Sequence, residues 1–193
     1  MPNWCSTAYV VEGDVQEIKS LYELMKNLED MEKPSVPNGF GTSWLGCLVD
    51  ALGADWKNVC CRGEWGRLEL EVDVLKFSTE TAWASCNEVL DLVCEKFPSL
   101  HYYFMAEEPD LEVYETNDSE GVYFPDRYCL KICTLEGEYC SEYFEKLQEV
   151  FEWFGDEFGR PVRSVDDIKA LHAQWRKEKE NSYCYLHEFS ILK

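Results

Sequence analysis

Apolar and polar positions alternate most clearly over residues 67–77, where Leu68, Leu70, Val72 and Val74 alternate with Glu69, Glu71 and Asp73. A period of two sends successive side chains to opposite faces of a strand, so this run predicts a strand with one buried and one solvated face. The run Trp4–Glu12 predicts an earlier strand, closed by Gly13. The pattern then changes period. Val15, Ile18, Leu21, Tyr22, Met25 and Leu28 recur at helical spacing behind Asp14, with Glu17 three residues after that N-cap candidate. Residues 32–43 form a loop rich in Pro and Gly, and residues 44–52 fit two helical turns packed on the core. Residues 58–62 are expected to form a short strand, and Gly63-Glu64-Trp65-Gly66 to turn the chain. A helix carrying Trp83, Cys86, Leu90, Val93 and Phe97 on one stripe leads to a strand over residues 100–106.

This β-α-β-β-α-β order predicts an α+β fold: a ferredoxin-like antiparallel sheet with two helices on one face. Strands over residues 111–116 and 122–133 would extend the sheet as a β-meander. Beyond them, residues 141–154 predict a helix burying Tyr143, Leu147, Val150 and Phe154. Ser164, with Asp167 three residues on, caps another helix carrying Ile168, Leu171 and Trp175. Residues 183–192 predict a final strand returning to the sheet. The chain therefore divides into a core with extended sheet, residues 1–133, and a helical C-terminal extension, residues 134–193, packed as one globular unit.

Charge narrows the function classes. The 193 residues carry 38 acidic and 18 basic side chains, a net charge of -20 and a pI of about 4.4. Residues 106–157 alone hold sixteen acids and three bases. Direct binding to nucleic acid or to an anionic membrane is disfavoured, and a basic protein partner is favoured. With 46% apolar residues the chain is no disordered acidic tail. The start of the sequence has no basic, then apolar, leader pattern and no membrane-length apolar run follows, so a cytoplasmic setting is expected.

The ten cysteines read as reduced, small apolar side chains. No Cys-x-x-Cys pair starts a zinc site, and no spacing matches a common iron-sulfur pattern. His101, His172 and His187 are scattered. No metal and no cofactor is expected. Two acidic groups are candidate partner-binding surfaces. Glu69, Glu71 and Asp73 share a strand face at about 6–7 Å spacing. Glu107, Glu108, Asp110 and Glu112 crowd the turn after the strand that ends near residue 106. Neither group is accompanied by a nucleophile, a histidine or a phosphate loop, so no catalytic residue is assigned. Two functions follow: a non-catalytic acidic interaction protein, mimicking the charge of DNA toward a basic partner, or a small enzyme or divalent-cation binder using an acidic cleft. The rings of Tyr102, Tyr103, Phe104, Tyr114 and Tyr123 suggest base stacking, but acids on the same face oppose it.

Five short motifs stand in a recognisable order: Met1-Pro2-Asn3-Trp4-Cys5, Trp65-Gly66 ahead of a strand, Thr81-Ala82-Trp83 at a helix start, Phe97-Pro98-Ser99-Leu100, and Glu107-Glu108-Pro109 at a strand end. Together they make roughly residues 1–125 resemble the YubB-like family of plasmid, phage and mobile-element proteins. That resemblance implies an Api-type ferredoxin-like domain of unknown function. The sequence departs from the family where Arg67-Leu68-Glu69-Leu70 replaces a usual Thr-Lys-Trp-Asp, and where Ala84-Ser85-Cys86 replaces prolines.

Overall fold

The computed structural model describes residues 3–192, so Met1 and Pro2 of the first motif lie outside the described residues. The chain is α+β and falls into two compact units, residues 1–118 with 192–193, and residues 119–191. The division lies after Asp118, ahead of the 133/134 boundary expected from sequence.

In the first unit, β1 (Trp4–Glu12) is followed by α1 (Val15–Glu29) and the short α2 (Leu45–Ala51). Then come β2 (Gly63–Leu70), β3 (Val74–Ala82), α3 (Asn87–Lys96), β4 (His101–Glu108) and β5 (Val113–Thr116). These strands run antiparallel in the order β2-β3-β1-β4-β5. Cys5, Tyr9 and Val11 of β1 pack with Phe77, Phe104 and the buried faces of the three helices, among them Ile18, Leu21, Leu48 and Val89. Tyr9 stacks on Phe77 with ring centroids 5.2 Å apart, and Phe104 lies 6.1 Å away. Burying such rings, at about 25 cal/mol per Å² removed from water, dominates the favourable energy of this layer.

The start of α1 follows its sequence signal, with one addition. The Asp14 carboxylate accepts from the backbone N–H groups of Gln16 and Glu17. Glu17 does not reach back to the cap. Its carboxylate accepts from the N–H and hydroxyl of Ser99, whose Oγ accepts from the N–H of Asp14. Ser99 thus closes the capping box from outside the helix, and ties α1 to the entry of β4.

Several expected elements differ. Residues 58–62 form no strand; a 3-10 turn occupies Trp56–Asn58, and the supposed turn at 63–66 is the first half of β2. Gly63 is there because a Cβ would collide with the carbonyl oxygen of Glu80 on β3. Trp65 is buried, and its indole N–H donates to Glu29 of α1 at 3.0 Å. The predicted strand over 67–77 is broken into a hairpin. Leu70 pairs with Leu75, the Glu71 N–H donates to the Val74 carbonyl, and Val72 at the tip is 88% exposed. Trp83 does not open the next helix: Cys86 is the N-cap, and Trp83 sits in a left-handed turn at φ 70°.

The second unit has its own sheet, β7-β6-β8, built from β6 (Tyr128–Cys133), β7 (Tyr139–Phe144) and β8 (Tyr183–Glu188). The strand expected over 122–133 therefore does not extend the first sheet. Residues 141–144, expected as the start of a helix, belong to β7, which pairs with β6 from Tyr128↔Phe144 to Cys133↔Tyr139. The helices are α4 (Leu147–Phe158) and α5 (Val165–Glu178), whose Val150, Phe154, Ile168, Leu171 and Trp175 pack on Leu130, Ile132 and Cys184. Ser164 caps α5 by accepting from the Asp167 N–H, as its sequence predicts. Residues 183–188 of the expected final strand form β8 and pair with β6. Leu192, grouped with the first unit, donates its N–H to the carbonyl of Thr116.

The contrast between two glycines of β2 gives a direct test. Gly63→Ala meets backbone, while a Cβ at Gly66 meets nothing within 4 Å. In urea unfolding, Gly63→Ala should lower stability by about 1–3 kcal/mol, the range for overpacking, and Gly66→Ala should leave it within about 0.5 kcal/mol.

Candidate functional site

A cleft of about 660 Å³ opens in the first unit, lined by Trp4, Phe40, Trp44, Trp56, Ala82 and Trp83 together with Lys57–Arg62 and Glu88. Its volume falls in the range usual for small-molecule sites. Five stretches of chain supply it. Trp4 and Ala82 are cross-strand partners at the ends of β1 and β3. The loop before α2 brings Phe40 and Trp44, the segment between α2 and β2 brings Trp56 to Arg62, and the first turn of α3 brings Glu88.

Backbone pairing holds these stretches together. The Ala82 N–H donates to the Arg62 carbonyl, and the Trp83 N–H donates to the Asn3 carbonyl, both at 2.9 Å. The Thr81 hydroxyl donates to the Ala84 carbonyl at 2.7 Å and steadies the turn that carries Trp83. A left-handed backbone at a bulky residue costs on the order of 1–3 kcal/mol, and this turn holds Trp83 there with its ring 45% exposed. Trp4 is also 45% exposed, and its ring meets Phe40 edge-on at 6.4 Å. Trp44 is buried, packs edge-on against Trp56 at 5.2 Å, and its indole N–H has no hydrogen-bond partner among the described residues.

Both cations of the cleft lie over rings. The Arg62 guanidinium sits 5.2 Å from the centroid of Trp83, and Lys57 Nζ sits 5.6 Å from that of Trp56. Glu88, the one acid of the lining, accepts from the Cys60 N–H at 2.8 Å. The Cys60 and Cys86 sulfurs are 3.7 Å apart. Burial, the largest cause in each case, pushes Cys61 up to about 11 and Cys86 up to about 12, so both thiols are protonated and poor nucleophiles near neutrality.

The motif residues divide between cleft and scaffold. Trp4, Ala82 and Trp83 line the cleft, while Asn3 bonds to its rim and Cys5 and Thr81 lie buried beneath it. Trp65 anchors β2 to α1, and Gly66 borders a separate groove. Phe97 is the C-cap of α3 and Pro98 follows it, away from the cleft lining. The missed residues are Phe40, Trp44, Trp56, Lys57, Arg62 and Glu88. Their only sequence signal is a density of tryptophan, with Trp44, Trp56, Trp65 and Trp83 falling within forty residues.

The acidic candidates do not form one site. Glu69 lies opposite Lys76 near the end of β2, Glu71 just beyond the strand pairs with Lys76 at 2.8 Å, and Asp73 lies exposed in the hairpin turn, so the three do not line a single strand. Glu107 pairs in register with Ser6, four positions along β1 from Val10, the partner of Lys76. At about 3.3 Å per residue that offset alone separates the two groups by about 13 Å. Glu108 is buried and its carboxylate accepts from the N–H groups of Asp110 and Leu111, capping the 3-10 turn, while Asp110 and Glu112 are exposed. Phe104 is core, and the Tyr102 hydroxyl donates to Asp91 of α3, so these rings form no stacking platform. Among the described residues, no group of three or more His, Cys, Asp or Glu could hold a metal ion, and no helix is long and apolar enough to cross a membrane.

Comparison with protein-family models, with curated proteins and with solved structures finds no match.

The thiols predict an alkaline limit. A neutral buried thiol stabilises the fold fully below its ordinary value of 9.0, and this contribution is lost as pH rises from 9.0 through about 12. The urea midpoint should fall in that window, and less steeply in Cys86→Ala. At pH 8, iodoacetamide should leave Cys61 and Cys86 unmodified in the folded protein and label both in urea, as read by peptide mass mapping.

Proposed function

We propose that this is a non-catalytic binding protein, and that its first unit recognises a small ligand in the aromatic cleft. The observation that carries the reading is the convergence of Trp4, Phe40 and Trp83, partly exposed rings from three separate segments, on one concavity. Exposed aromatic surface costs free energy in water and is usually kept for contact. The lining offers no histidine, and burial keeps its Cys61 thiol protonated, which favours recognition over chemistry. The antiparallel order β2-β3-β1-β4, with α1 and α3 as the connecting helices, supports a ferredoxin-like reading of this unit. Kinship with the YubB-like family, and the mobile-element setting that it implies, rests on the motifs, several of which border the cleft.

A second reading keeps the acidic surface as a site for a basic protein. Glu64 and Glu80 stand directly opposite each other across β2 and β3, with Arg67 lining the same groove. Like charges so placed destabilise a sheet, and a basic side chain seated between them would relieve the repulsion. It predicts binding to a lysine-rich peptide that weakens steeply with salt and is reduced in the Glu64→Gln, Glu80→Gln variant.

Thermal shift and tryptophan quenching against nucleotides, aromatic amino acids, indoles and quaternary ammonium compounds test the primary reading. At least one class should stabilise the protein, with affinity falling about tenfold or more in Trp83→Ala and Trp4→Ala. Binding that survives both substitutions would place the ligand elsewhere, and no stabilisation by any class would remove the reading.

A further inference from the structure

We infer that the cleft takes a small ligand made of a flat aromatic ring bearing an anionic group, of the size of a nucleoside monophosphate or an indole carboxylate. This rests on the cleft being a binding site and goes on to name the chemistry it selects.

Charge is the first argument. Over the whole chain acids outnumber bases 38 to 18, yet the cleft reverses that balance, with Lys57 and Arg62 against Glu88 alone. Glu88 already accepts a backbone hydrogen bond from Cys60. Neither Lys57 nor Arg62 is in an ion pair among the described residues, in a protein where carboxylates are abundant. Two cations kept apart from acids and held over rings leave their donors for an anion from outside.

The rings give the second argument. Arg62 lies over Trp83, so the guanidinium plane continues the stacking surface that the indole begins. A flat ring can stack on that plane or on the exposed indoles of Trp4 and Trp83 while its anionic group reaches Arg62 or Lys57. Such stacking is worth about 1–3 kcal/mol per ring by analogy with bases on aromatic side chains.

The same geometry excludes the other occupants of an aromatic site. A quaternary ammonium group needs open ring faces without neighbouring cations, and here Lys57 and Arg62 lie over Trp56 and Trp83 and would repel it. A polynucleotide would carry its phosphate array toward a protein of net charge -20, whereas a ligand with one or two charges suffers that repulsion once.

Matched ligands test this by isothermal titration on the full chain: AMP beside adenosine, indole-3-acetate beside indole and tryptamine, and choline. The anionic member of a pair should bind at least tenfold more tightly than its neutral parent. Lys57→Gln with Arg62→Gln, both at exposed positions, should remove that preference, weakening the anionic member at least tenfold more than its neutral parent, and Arg62→Lys should recover part of it. Preference for AMP or for indole-3-acetate identifies the source of the ring, and either result supports the proposal. Equal binding of neutral and anionic members, or tighter binding of tryptamine or choline, overturns it while leaving the cleft as a binding site. Tighter binding of a ten-nucleotide single strand than of AMP also overturns it. Binding by none of these ligands overturns both the proposal and the cleft reading.

Discussion

The segment from Cys61 to Gly66 is held by backbone hydrogen bonds from two directions, and the cleft exists because of it. On one side Arg62 accepts from Ala82, and residues 63–66 pair with β3; on the other, the Trp65 N–H donates to the Ser43 carbonyl and Trp44 bridges to Glu64. Each bond contributes about 1 kcal/mol net, but their joint effect is register. A slip of one residue would turn Trp65 out of the core and Glu64 into it. The same pairing sets Arg62 beside Trp83 and fixes Trp44 at the back of the cleft. Gly63 allows the close approach, since any side chain there would force β2 away from β3.

The acidic character of the chain takes a different meaning once partners are seen. Asp14, Glu17, Glu88 and Glu108 accept backbone N–H groups at helix starts, turns and element junctions, and Glu29 receives the Trp65 indole. Carboxylates make short, strong hydrogen bonds to such donors, which is a structural use. Glu108, in the densest acidic run of the sequence, is among the most buried charged residues of the first unit. Density of charge along the chain is therefore a poor guide to density of charge at a surface.

How much was legible in sequence depended on whether the deciding interaction was local. β1, α1 and α5 follow from strand composition, an N-cap and a helical stripe, all contained within a few residues. The hairpin at 71–74 was hidden because the alternating pattern runs straight through its turn, leaving Val72 at an apolar position of the period but exposed. Residues 141–144 resembled the start of a helix because Tyr143, Leu147, Val150 and Phe154 keep helical spacing; pairing with β6, a non-local event, decides otherwise. Gly63 and Gly66 looked like turn glycines, since a close backbone approach leaves no mark in sequence distinct from a turn. The motifs pointed to Trp4, Ala82 and Trp83 of the cleft. They missed Trp56, Lys57 and Arg62, because only the pairing of β2 brings those residues to the ends of β1 and β3.

The hydrogen bond from Leu192 to Thr116 has a consequence for synthesis of the chain. The first unit receives its last contact from a residue made after the whole of residues 119–191, so a ribosome-bound chain can assemble the β2-β3-β1-β4-β5 sheet and still lack it. The outer edge of β5 then waits, with the Thr116 carbonyl open to solvent, while the second unit is translated. At about 5–20 residues per second in translation, that interval is several seconds. During it the open edge is a template for another chain, and the bond from Leu192 closes that edge at Thr116 when it forms.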